Sequence, residues 1–205
     1  MASVVNEFVT SVDEYYGHYL DTTSGYLANV KQMLDRQERT RAAVPAGTDL
    51  DSLGFLYGHG DPNDPANRLL HQTTQGEFKR RNARGGRNGM LASHQLIVLL
   101  YSIWEHEYRP RLSHALGLTE PNELKIPLLG DLRLLRGDVI HHRGIVTRET
   151  VEKLSVLSGF KEGAEITLAE DSVEALTRAI KAAMDAIVVQ AGAPDPLHRK
   201  LWHVK

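Results

Sequence analysis

The chain has 205 residues, enough for one domain with a single core, and its 41% hydrophobic, 24% charged and 6% aromatic residues are those of an ordinary globular protein. A formal net charge of -2 excludes global basicity as a route to nucleic acid, so any such contact must rest on a local patch. With no cysteine, disulfides, thiolate nucleophiles and cysteine zinc sites are excluded, which fits a reducing cytoplasm.

The opening MASVVNEFVTSVDEYY has neither the basic start nor the unbroken apolar run of a secretory signal. From about Val4 to Arg39, Val5, Phe8, Val12, Tyr15, Tyr19, Tyr26, Val30, Met33 and Leu34 recur at three- and four-residue intervals. This spacing predicts one long helix, or two joined at Ser24-Gly25. Tyrosines at helical spacing point to core or subunit interface rather than to base stacking. Residues 43–87 lose the period and carry Pro45-Ala-Gly, Gly58-His-Gly-Asp-Pro and Asp64-Pro, which predicts a long loop, either functional or partly mobile. At its end Lys79, Arg80, Arg81, Arg84 and Arg87 surround Gly85-Gly86, a flexible cationic segment suited to phosphate contact.

Met90 to Leu116 is helical again, with Leu91, Leu96, Ile97, Leu100, Ile103 and Trp104 forming an apolar surface. Its most apolar window, Gln95 to Trp104, is too short to span a bilayer, and no membrane contact is expected. Pro110 kinks or divides this helix, because it lacks a backbone donor and clashes with the preceding turn. Just before it, Trp104-Glu-His-Glu-Tyr-Arg109 gathers polar groups where Glu105 and Glu107 are set to pair with arginines or to orient a histidine. His106 lacks the paired-histidine spacing of a zinc helix.

The most informative stretch is Leu128 to Ile145, LLGDLRLLRGDVIHHRGI. Leu128, Leu132, Leu135 and Val139 form one stripe of a helix, and Arg136 sits at its edge, where its stem is buried and its guanidinium reaches a groove. His141 and His142 fall in the last turn, and Gly144 is placed to be the left-handed stop, with Ile145 against Ile140. His141, His142 and Arg143 complement the negative end of the helix dipole. His142 projects nearer the leucine stripe, as a packed or capping residue. Beyond lie Thr147 to Leu157, a short extended piece from Gly163 to Leu168, and a helix from about Ser172 to Gln190. Thr167 with Glu170, or else Asp171 or Ser172, caps that helix. Residues 192–205 form a basic tail. Phosphate-loop, serine-elbow and metal motifs are absent, and no cofactor is expected.

The run DLRLLRGDVIHHRGI, preceded by YSIWEHEYRPRL and followed by VLSGFKEGAEITLAEDSVEAL, resembles the HEPN (higher eukaryotes and prokaryotes nucleotide-binding) domain family over roughly Leu91 to Ile187. Length and the count of about four main helices with little strand favour a single all-α helical domain over 1–205, with a long loop between the first two helices. The resemblance implies a bundle of the HEPN kind. It further implies a homodimer and a metal-independent endoribonuclease of toxin–antitoxin or antiphage systems, with an antitoxin or defence-system partner. The family's pattern, an arginine, four to six residues and a histidine, falls on Arg136 and His141, with His142 as the alternative base. Two departures stand out. Gly137 occupies a position that is frequently polar, which favours the competing expectation of a non-catalytic dimerisation or RNA-sensing module. Arg143 stands where nucleotidylated members carry a tyrosine.

Cleavage of RNA by transesterification needs a base at the 2′-hydroxyl, positive charge on the phosphorane and an acid for the leaving oxygen. Arg136 and His141 are about 140° apart on an ideal helix, so a site composed across a two-fold axis is expected. Arg143 joins the cations at 79–87 as an expected RNA contact.

Overall fold

The computed structural model describes residues 1–61, 64 and 68–190, so the basic tail at 192–205 lies outside the described residues. In chain order the elements are α1 (Ala2–Arg41), a 3-10 turn (Leu50–Ser52), β1 (Gly54–His59), β2 (Arg68–Thr74), α2 (Gln75–Asn82) and α3 (Arg87–Ile103). A π-helical turn (Trp104–Tyr108), α4 (Arg109–Ala115), a 3-10 turn (Pro121–Glu123), α5 (Pro127–His141), α6 (Arg148–Lys153) and α7 (Glu170–Gln190) follow. The molecule is mostly helical.

The chain divides into two compact units. One joins Met1–Leu20 to the chain from Ala92 onward, and the other is Asp21–Leu91. The physical reason lies in α1, which is unbroken through Ser24-Gly25. Its 40 residues at about 1.5 Å each exceed the diameter of a small domain, so its two halves serve different cores.

Among its described residues the first unit is built of helices and their connections, with one isolated bridge between Ile145 and Glu165. Its core gathers Val5, Phe8 and Val12 of α1, Ile97 and Leu100 of α3, Leu132 and Leu135 of α5, and Ile180 and Met184 of α7, all essentially inaccessible to solvent. Phe8 packs against Trp104 and Tyr108 with ring centroids 5.4 and 5.1 Å away. Tyr108 also shares a hydrogen bond with Ser11 at 2.9 Å. Pro110 does not divide the helix. The chain widens by one residue over Trp104–Tyr108, and the Arg109 N–H donates to the Trp104 carbonyl, so the turn before the proline accommodates its missing donor. The capping box expected at Thr167 and Glu170 is not formed: α7 starts at Glu170, and the Thr167 hydroxyl donates to the Glu165 carbonyl at 3.3 Å.

The second unit corrects two expectations, an all-α chain and a loop at 43–87. β1 and β2 pair antiparallel, Gly54 opposite Thr74 and His59 opposite Arg68, with an irregularity between Tyr57 and Gly58. Nearly every residue of this hairpin is exposed, so neither strand shows the apolar alternation that marks a half-buried strand. Phe55, opposite the half-buried Thr73, turns inward with its ring 4.4 Å from Phe78. Thr74 then caps α2 by accepting the Glu77 N–H at 3.1 Å.

Gly85 and Gly86 form a tight turn between α2 and α3, with the Gly86 N–H donating to the Ala83 carbonyl at 2.8 Å. Gly85 has φ +71, and a Cβ on Gly86 would lie 2.5 Å from the Arg80 carbonyl oxygen.

Candidate active site

Helix α5 positions the candidate residues. Pro127 opens it where a missing N–H costs nothing, and Leu128, Leu132 and Leu135 are buried on one stripe. The opposite arc, centred on Gly137, borders a cleft of about 640 Å³ within the first unit, lined also by Tyr101, Ser102, Glu105 and His106 and by Thr147, Glu149 and Thr150. Arg136, His141 and His142 all line this cleft. The separation of Arg136 and His141 around the helix, expected to demand a second subunit, is spanned within one protomer. The cleft takes a broad arc of α5, and the arginine stem is long enough to reach it. His142 is exposed rather than packed and stands at the C-cap of α5, the other position expected for it.

Two buried carboxylates tie the segment after α5 to the helix. Asp131 accepts the N–H groups of Ser155 at 3.0 Å and of Val156 and Leu157 at 2.7 Å, and the Ser155 hydroxyl at 3.1 Å. Asp138 accepts the Thr147 N–H and hydroxyl, each at 3.0 Å, and Thr147 caps α6. The main-chain oxygen of Asp138 takes the N–H of His142 at 3.0 Å and of Gly144 at 2.9 Å. The stop therefore differs from the one expected, because Arg143 (φ 57) and Gly144 (φ 79) are both left-handed, while Ile140 and Ile145 remain exposed. Gly144 has a second reason to be glycine: a Cβ there would meet His94 Cε1 at 2.5 Å. His94 is itself buried, with Nε2 2.7 Å from the Ile166 carbonyl oxygen.

The Arg136 guanidinium lies 5.9 Å from the centre of the Tyr101 ring, and its Nε is buried with no hydrogen-bond partner. The Tyr101 hydroxyl donates to Glu105 at 3.0 Å, and Glu105 also accepts Arg109 at 3.0 Å. Burial first, then the Glu105 hydrogen bond and charge, raise the Tyr101 phenol above its ordinary range, so it stays a donor. Glu149 is occupied by Lys153 at 2.7 Å, whose hydrogen bond and charge lower its carboxyl pKa. Every carboxylate lining the cleft thus has a partner. Arg133, Arg136, His106, His141 and His142 also line the cleft and form no hydrogen bond or ion pair with the described residues.

The expected RNA contacts separate from this site. Arg143 is exposed beyond the helix end and does not line the cleft. Lys79, Arg80, Arg81, Arg84 and Arg87 belong to the second unit. Lys79 is only 19% exposed and is neutralised by Asp51 at 2.6 Å, with Gln37 accepting a further bond at 2.9 Å. Arg80 pairs with Glu77. Arg81 reaches His71 at 3.1 Å and lies over the Phe78 ring, and Arg87 approaches the Met90 sulfur at 3.7 Å. Lys79 therefore holds α2 in place instead of presenting charge.

Sequence reasoning missed Tyr101, Arg133 and Asp138, and weighed His106 only as a metal ligand. Their shared surface depends on the π-helical turn and on the crossing of α3 and α5, which no local pattern encodes. Among the described residues no group of three metal-ligating side chains converges, and no helix is long and apolar enough to cross a membrane. Comparison with protein-family models, curated proteins and solved structures finds no match to the chain.

Proposed function

We propose that the protein is a metal-independent endoribonuclease of the HEPN type, acting as a homodimer in a toxin–antitoxin or antiphage system of the cytoplasm. The observation that supports it is the convergence of Arg136, His141 and His142 on one cleft, none of them in a hydrogen bond or ion pair with the described residues. His141 takes the proton of the attacking 2′-hydroxyl, and Arg136 stabilises the charge that builds on the phosphorane. His142, beside it at the helix end, is the alternative base. RNA is the substrate class because DNA lacks the internal nucleophile.

Arg136→Ala and His141→Ala variants are expected to remain folded and to lose cleavage of a broad RNA panel by on the order of 100-fold or more, the usual scale for removing a catalytic donor or base. Wild-type cleavage by both variants would rule out the ribonuclease. One observation favours a second reading, a non-catalytic RNA-sensing module: Gly137, at the centre of the cleft wall, offers no side chain to orient a substrate. Binding of RNA without turnover by the wild-type protein would select it.

A further inference from the structure

In-line displacement at phosphorus requires the nucleophile and the leaving oxygen to lie on opposite sides of the phosphorus atom. A base and an acid that serve the two oxygens must therefore approach from different walls of the cleft. His141 and His142 both stand at the end of α5 and share one wall. The titratable groups that line the cleft from elements other than α5 are Tyr101, Glu105 and His106, on α3 and the π-helical turn, and Glu149 of α6, which is held by Lys153. Tyr101 is committed to Glu105, and Glu105 to Tyr101 and Arg109. His106 is exposed and forms no hydrogen bond or ion pair with the described residues, and it sits in the π-helical turn Trp104–Tyr108. Such turns frequently interrupt helices at functional sites.

We propose that His106 is the general acid of the reaction, facing the His141 base across the cleft. The proposal rests on the ribonuclease reading above and adds the group which that reading leaves unassigned. Neutral His141 takes the proton from the 2′-hydroxyl as the 2′ oxygen bonds to phosphorus. The bond from phosphorus to the 5′ oxygen breaks, and protonated His106 delivers its proton to that oxygen. The products are a 2′,3′-cyclic phosphate and a 5′-hydroxyl, and proton exchange with water restores both imidazoles. A cleft of about 640 Å³ is within the range that holds a nucleotide-sized ligand. Each protomer thereby contains an acid, a base and a cation.

The test uses an RNA that the wild-type protein cleaves at one site and its twin with sulfur in place of the 5′ oxygen at that site. A thiolate leaves without protonation, so the twin needs no acid. His106→Ala is expected to lose about 100-fold or more on ordinary RNA and to return to within about tenfold of wild type on the sulfur-containing RNA. His141→Ala is expected to be slow on both. Wild-type rates for His106→Ala on ordinary RNA, or an equal loss on both substrates, would overturn the assignment while leaving the ribonuclease intact. Failure of the wild-type protein to cleave any RNA would overturn both.

Discussion

Arg136 holds its charge over the face of Tyr101 rather than against a carboxylate. A cation over an aromatic ring is worth roughly 0.5–1 kcal/mol when exposed, and it fixes the guanidinium plane without consuming its N–H donors. An ion pair in its place would leave less charge for a phosphate. Arg143 shows the opposite economy. Its φ of 57 is a conformation that costs an L-residue roughly 1–2 kcal/mol. Arg143→Gly is therefore expected to stabilise the protein by about 1 kcal/mol, less whatever glycine gains in the unfolded chain. A higher denaturation midpoint with an unchanged slope would show it. The sequence pointed to the neighbouring Gly144 as the stop, and Gly144 is indeed left-handed. The chain turns one residue earlier because Asp138 holds both the His142 and Gly144 N–H groups.

At the scale of elements, α5 serves three surfaces at once: the core through its leucines, the cleft through its opposite arc, and the following chain through Asp131 and Asp138. Only the first has a periodic signature, which is why the leucine stripe was legible and the two carboxylates were not. An aspartate on a helix reads as a solvated face until the segment it caps is known. Asp131→Ala would leave three backbone N–H groups without their acceptor, at a cost on the order of 3 kcal/mol for buried charge-assisted bonds. A thermal melt is expected to show a drop of many degrees, and an unchanged melting temperature would mean the 155–157 segment finds other acceptors. The helices α1, α5 and α7 were readable for the same reason as the stripe, since their buried positions repeat at helical spacing. The hairpin was not, because its Leu56, Leu69 and Leu70 are exposed and leave no alternation. His106 became visible only through the π-helical turn that sets it beside Tyr101 and Glu105.

For the whole molecule, two compact units share two helices, α1 and α3, and the chemistry proposed above belongs to one of them. With a net charge of -2, an RNA contact depends on where cations are left unpaired, and the cleft of the first unit meets that condition. In the second unit Lys79 and Arg80 have carboxylate partners, so they contribute to that unit's stability more than to any field around it. The proposed chemistry depends throughout on an internal nucleophile in the substrate. The most direct measurement follows a single-site RNA alongside the same RNA carrying one 2′-deoxy nucleotide 5′ to the scissile bond, with the product ends identified. Cleavage of the first to a 2′,3′-cyclic phosphate and a 5′-hydroxyl, with none of the second, is the expected result. Equal cleavage of both, or a 5′-phosphate product, would contradict it.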